Sequence, residues 1–349
     1  MSVIKSAWRT TIRTDLAFFE HLRPIRSALV VFVVLTLVDQ HRDTRALLPL
    51  GIGMLFASIA DRGVSLRRRM TSMGGATVGI TFGTGIGCLI SDNQPLHIAI
   101  AGVLAGLCGL IGAAGVPSMT AGVLTLVVLT IFSGAPVDLL DWRSNSLLML
   151  LGACIMIGSV LLEFVIFATL RRKRTAANEM PTTPYSVRLR EHFHWNDDFV
   201  LHSFRLAIVI IIAISLEEVL DFPHSSWIPM TVAWISRPDR DGTVERVTLR
   251  VAGTLLGVAV AGSLIGLTQA TSAESLFMIG LATYIVLAFI APNYALAVTG
   301  MTVFTFLLFH LVGYPLDGSV ATYITSTLIA AVLVLVAIRI QPRKARKST

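Results

Sequence analysis

Apolar residues run through this chain in long blocks of roughly 17–25, the length a bilayer core demands of a helix. The blocks begin at Ile25 and recur almost to the C-terminus, broken by short stretches rich in Arg, Asp, Gly and Pro. The pattern predicts helical spans at 25–39, 46–60, 70–90, 96–115, 116–133 and 146–170. A second series falls at 200–220, 226–237, 247–267, 274–291, 293–313 and 319–338. The shortest, 226–237, contains Pro229 and is expected to lie broken or to line a cavity. The prediction is an all-α integral membrane protein of about twelve transmembrane helices.

Charge then orients the spans. With both termini cytoplasmic, 25 of the 28 Lys and Arg residues fall on one side, and only Arg42, Arg45 and Arg143 fall on the other. Positive residues cluster in cytoplasmic loops. A wrong helix count in the middle would invert every later loop and destroy this segregation. The net charge of +7 is thereby a matter of orientation and anionic lipid, and nucleic acid is not an expected partner.

Two halves repeat. At an offset of 178, Asp61-Arg62 matches Asp239-Arg240, Arg68 matches Arg246, Gly75 matches Gly253, and Gly79 matches Gly257. At 179, Arg26-Ser27-Ala28 matches Arg205-Leu206-Ala207. Six helices per half is an even number, so both copies enter the membrane in the same direction. The expected organisation is a cytoplasmic segment at 1–24, a six-helix repeat at 25–170, a cytoplasmic linker at 171–198, a second repeat at 199–340, and a basic tail at 341–349. The linker is expected to include an interfacial helix around Arg188 to Trp195.

Composition agrees with a hydrocarbon solvent. The chain is 54% hydrophobic and only 14% charged, with mean hydropathy +0.76, against about 25% charged in soluble domains. Cys88, Cys108 and Cys154 sit in apolar runs without metal-ligand spacing, so no metal or other cofactor is expected. Gly83-Thr84-Gly85-Ile86-Gly87 lies inside an apolar helix, not after a strand, and is no phosphate loop.

The residues with chemistry are few. Spacings of four, three and four put Arg246, Arg250, Gly253 and Gly257 on one helical face, and the first-half copy reads Arg68, Ser72, Gly75, Gly79. Small residues let helices approach closely, and guanidinium groups at the cytoplasmic end of the stripe would attract a carboxylate. The expected passage runs along these two glycine helices, with Arg26 and Arg205 framing its mouth. Glu163 and His310 are candidates for handling a proton. Glu217, Glu218 and Asp221 read as a solvated acidic loop on the outer side.

The stretch Trp227-x-Pro229, Pro238-Asp239, Arg250-x-x-Gly253-Thr254-x-x-Gly257 resembles the fusaric acid resistance and aromatic acid exporter family of bacterial inner-membrane proteins. The likeness covers roughly 200–270 well and 25–90 more loosely, where Pro49, Asp61, Gly75 and Gly79 are echoes and Ser72 replaces the second arginine. It implies proton-driven efflux of small organic, chiefly aromatic, anions, with a periplasmic adaptor as partner in Gram-negative members. Many members carry a large cytoplasmic domain, and this sequence resembles a compact form without one. The family is distantly similar to plant malate channels, whose two six-helix units surround an arginine-lined pore. A passive anion channel, a non-transporting subunit of an envelope assembly and a membrane-embedded enzyme remain as alternatives, the last disfavoured because Glu163 and His310 stand in separate halves. Oligomerisation stays open.

Overall fold

The computed structural model describes residues 21–41, 43–63, 65–134, 141–167, 185–195, 197–220, 226–268, 272–314 and 319–340. The expected cytoplasmic tail and most of the N-terminal segment lie outside these residues, as does linker stretch 168–184. Among the described residues the chain is helical throughout, with no strand.

The first six helices are α1 (Leu22–Gln40), α2 (Thr44–Ile59), α3 (Leu66–Ile90), α4 (Gln94–Ile111), α5 (Val116–Ser133) and α6 (Trp142–Ile166). A short amphipathic α7 (Tyr185–Glu191) follows and lies against the turn between α4 and α5. The second series is α8 (Asp198–Leu220), α9 (Trp227–Ile235), α10 (Arg240–Thr268), α11 (Ser272–Phe289), α12 (Tyr294–Val312) and α13 (Ser319–Ile340).

Side-chain caps set many of the starts. The side chains of Ser65, Asn93, Asp141 and Asn293 accept backbone N–H groups of α3, α4, α6 and α12. Such caps satisfy donors that have no partner within the helix. Helix α12 ends on Gly313 in the left-handed region (φ +78°), a conformation glycine adopts without a Cβ penalty.

Every predicted apolar run falls on a helix, but the runs are not equivalent. Among the described residues nine helices are long and apolar enough to cross a membrane. Helix α1 carries Arg23, Arg26 and Asp39 along its 19 residues. Helix α2 has 16 residues and Pro49, and is about 24 Å long. Helix α9 has 9 residues and spans about 14 Å, roughly half a bilayer core. Both are interior elements: every residue of α9 is buried, and so is every residue of α2 from Ala46 to Ile59. A helix apolar all round with no lipid face belongs in the middle of a bundle.

The packing comes in matched sets. Helix α3 packs on α5 and α10 on α12; α2 on α6 and α9 on α13; α1 on α2 and α8 on α9. Across the two series, α1 packs on α11 and α8 on α4, while α2 meets α12 and α9 meets α5. The centre of the molecule is therefore built from α2, α5, α9 and α12.

The glycine stripes serve the tightest of these contacts. A methyl group on Gly83 would sit 2.6 Å from the Thr125 carbonyl oxygen on α5, and one on Gly87 would sit 2.6 Å from that of Leu129. On α10, Gly257 faces Thr302 of α12 at 2.6 Å, and the Thr299 hydroxyl donates to the Gly253 carbonyl at 3.2 Å. Gly79 and Gly253 press on Thr125 and on Ala295 with Val298. The glycine helices thus turn Gly79, Gly83 and Gly87 towards α5, and Gly253 and Gly257 towards α12.

Candidate functional site

The interior helices enclose a small central cavity of about 60 Å³. Leu48, Ile52 and Phe56 of α2, Val127 of α5, Trp227 and Trp234 of α9, and Phe304 of α12 form much of its wall. The aromatic rings are mutually packed: Tyr323 lies edge-on to Trp227 at 4.8 Å and to Phe306 at 5.4 Å, and Trp234 edge-on to Phe56 at 5.9 Å. Edge-to-face packing of this kind fixes the rings in place.

One charged side chain enters that wall. Arg250 is 1% exposed, donates through Nη2 to the Tyr323 hydroxyl at 3.1 Å, and points Nη1 at the Met301 sulfur at 3.8 Å. Its Nε has no partner, and among the described residues no carboxylate lies within ion-pair distance. Burying an ion costs several kcal/mol even after relaxation. A phenol contact to a charged group returns about 1.5–3 kcal/mol, and a thioether less. Arg250 is thus under-compensated.

One helical turn from Arg250, α10 presents Arg246 to a second, larger space of about 450 Å³ at the end of the bundle that carries the 61–65 and 236–239 turns. The Arg246 guanidinium lies 3.8 Å over the Tyr294 ring, and its Nε donates to the Trp234 carbonyl at 3.3 Å. Trp234 lines the central cavity, so Arg246 stands between the two spaces. Arg62 and Arg237 line the same vestibule. Burial pushes the Arg237 guanidinium down to about 9, with Arg246 and Arg62 acting in the same direction; it remains cationic at neutral pH. Burial and the charge of Arg246 likewise lower Arg62.

The corresponding end of the first series is neutralised instead. Arg69, fully buried, holds both oxygens of Asp61 at 2.6 and 2.7 Å and donates to Glu163 at 3.2 Å. Arg26 donates to Asp61 at 2.8 Å and also to Glu163. Burial pushes the Asp61 carboxyl up, but the hydrogen bonds and charges of Arg69 and Arg26 outweigh it and hold the group below the usual carboxylate value. Two guanidiniums and two carboxylates clasp α1, the α2–α3 turn, α3 and α6 together.

The predicted site residues therefore scatter. Arg246 and Arg250 lie one turn apart on α10, Arg250 at the central cavity and Arg246 at the vestibule. Arg26 and Glu163 belong to the clasp, where they are bonded to each other. Arg68 is exposed, and its neighbour Arg69 is the buried partner. Arg205 donates to the Arg237 carbonyl and so braces the α9–α10 turn. Gly75 has nothing within 4 Å, and none of Gly75, Gly79, Gly253 and Gly257 lines either space. His310 lies half-buried near the far end of α12.

Glu217 corrects the solvated-loop expectation: it is 4% exposed, and its Oε1 accepts the Ile228 N–H at 2.9 Å, capping α9 from α8. A nine-residue helix that begins inside the protein has donors no water can reach, and a buried carboxylate satisfies one. Glu218, one residue on, is exposed as expected, and Asp221 lies outside the described residues. Sequence reasoning overlooked Arg62, Arg237, Arg69 and the tyrosines 294 and 323. The repeated Asp-Arg turn was the available signal for Arg62.

Among the described residues, an all-helical bundle of membrane-crossing length with short interior helices defines a polytopic membrane protein. Residues 210–337, in the second half of the chain, match the family described as fusaric acid resistance protein-like. The chain is 24% identical over 127 residues to the inner membrane protein YccS of Escherichia coli, covering 36% of this chain and 18% of that protein. It is 26% identical over 159 residues to an uncharacterized protein of Synechocystis, covering 45% and 21%. An uncharacterized protein of Haemophilus influenzae is 26% identical over 148 residues, covering 42% and 20%. The chain spans about a fifth of the length of these curated relatives. No solved structure matches it. Its apolar helices and these relatives make it a multi-pass inner-membrane protein.

Proposed function

We propose that the protein is a secondary transporter that moves small organic anions, chiefly aromatic ones, out across the inner membrane. The observation that carries this reading is Arg250: a buried guanidinium, short of a counter-charge, set in an aromatic wall one turn from a basic vestibule. A carboxylate on Arg250 would supply the missing charge, and an aryl ring would pack among Trp227, Trp234 and Phe304.

The matched helix pairings support two parallel six-helix repeats, twelve helices in all, and the charge segregation supports cytoplasmic termini and a cytoplasmic vestibule. The central cavity has room for only a few waters. That favours a carrier whose interior helices separate to admit substrate over a standing open channel. With Glu163 committed to the clasp, His310 is the remaining candidate for proton coupling. A periplasmic adaptor stays part of the proposal on family resemblance alone.

The test is uptake of radiolabelled benzoate into inverted vesicles holding the purified protein, under an imposed pH gradient. Gradient-dependent uptake that falls by about tenfold or more in Arg250→Gln is the expected result. Uptake identical in folded Arg250→Gln removes the reading, and anion currents indifferent to the gradient replace it with a channel.

A further inference from the structure

We propose that Arg62, Arg237 and Arg246 form a binding site for a phosphate-bearing anion in the vestibule, separate from Arg250. The three come from different elements: Arg62 from the turn after α2, Arg237 from the turn after α9, and Arg246 from α10. Their partners are weak. Arg62 donates to the Ile59 carbonyl at 3.4 Å, Arg237 reaches the Met119 sulfur at 3.6 Å, and Arg246 has one carbonyl and the Tyr294 ring. Among the described residues none of the three has a carboxylate within ion-pair distance. Two acids face the same space, Asp239 and Glu245. Asp239 accepts the Gly242 N–H at 2.6 Å as the cap of α10, and Glu245 is exposed. The buried Tyr294 lines the same space beside Arg246.

The geometry selects the ligand's shape. A planar carboxylate offers two oxygens and is satisfied by a single guanidinium fork. A tetrahedral phosphate group carries close to two negative charges and offers oxygens in three or more directions, which suits three forks converging from separate elements. Such a ligand would tie the α2–α3 turn to the α9–α10 turn and hold this closed arrangement. A soluble phosphate ester and the phosphomonoester headgroup of a lipid share this chemistry. The argument rests on the vestibule alone and does not need the export reading.

The experiment is thermal unfolding of the full chain in phosphatidylcholine nanodiscs, titrated with pyrophosphate at ionic strength held constant with chloride. Saturable stabilisation is expected, with affinity falling by roughly tenfold in Arg62→Gln and in Arg237→Gln, while Arg250→Gln leaves it intact. If stabilisation requires phosphatidic acid in the disc and not free pyrophosphate, the ligand is a lipid headgroup. Stabilisation that never saturates, that malonate matches, or that survives both vestibule substitutions overturns the site. Arg62→Lys, which retains the charge, serves if Arg62→Gln fails to fold, and only partial loss is expected there. Benzoate transport failing while pyrophosphate binding persists would remove the export reading and leave this one standing.

Discussion

The Arg250 guanidinium and the Tyr323 hydroxyl meet 3.1 Å apart in the interior, and that phenol is the only oxygen among the described residues to which the arginine is bonded. A buried cation served by one neutral oxygen and a sulfur has been placed there at a cost to stability. Arg250→Met, which keeps the length and removes the charge, is therefore expected to raise the unfolding temperature or leave it unchanged. Replacing buried ionic groups by apolar ones of similar volume is often neutral or stabilising by about 1–4 kcal/mol. The same variant is expected to abolish anion uptake. Thermal unfolding and vesicle uptake on one preparation check both halves of the statement, and a clear fall in stability would show that the arginine is structural.

The clasp predicts the opposite behaviour. Glu163→Gln removes one carboxylate from two guanidiniums and should destabilise by about 3–5 kcal/mol, discounted for the partial exposure of Glu163 and Arg26. Denaturation in detergent or lipid measures it.

Asp61 gives the clasp a pH dependence. Its folded-state value lies below 3.8, so its contribution is complete above that value and is lost as pH falls through it. Stability should drop as pH falls below about 4, and Asp61→Asn, less stable at neutral pH, should flatten that part of the profile. An unchanged slope in Asp61→Asn would assign the acid sensitivity elsewhere.

Glycines of the two matched stripes, on α10 and α3, should respond differently to the same methyl group. At Gly257 a Cβ would meet Thr302 at 2.6 Å and the Thr299 carbonyl at 2.9 Å, so Gly257→Ala should cost about 1–3 kcal/mol. Gly75 has nothing within 4 Å, and Gly75→Ala should stabilise by about 0.5–1 kcal/mol through helix propensity. Melting temperatures of the two variants check both expectations.

Glu217 holds the start of α9, and Glu217→Ala should weaken that start by about 0.5–2 kcal/mol. Hydrogen exchange at the first turn of α9 should quicken selectively, because Trp227 and its neighbours lose their anchor. Equal quickening across the bundle would mean global destabilisation instead.

The helices were legible because hydrocarbon imposes a length and a composition, and each apolar run became a helix. Arg246 and Arg250 were legible because their spacing puts them on one face of α10. What escaped notice depends on which surfaces meet. Sequence spacing could not say that Gly79 and Gly257 face α5 and α12, or that α2 and α9 supply much of the central cavity's wall. It could not choose Arg69 over the repeat-matched Arg68, since adjacent helical positions point about 100° apart and only packing decides which is inside. Glu217 looked solvated because the helix it caps begins at a depth that hydropathy does not report.

The exchange of helices α1 and α8 has a mechanical consequence. Each opening helix lies against the fourth helix of the other series, α1 on α11 and α8 on α4, so the two series embrace like interlocked hooks. A rigid swing of either series would drag a strut of its neighbour, so an opening of the middle is expected in the short, proline-bearing α2 and α9 held inside that frame.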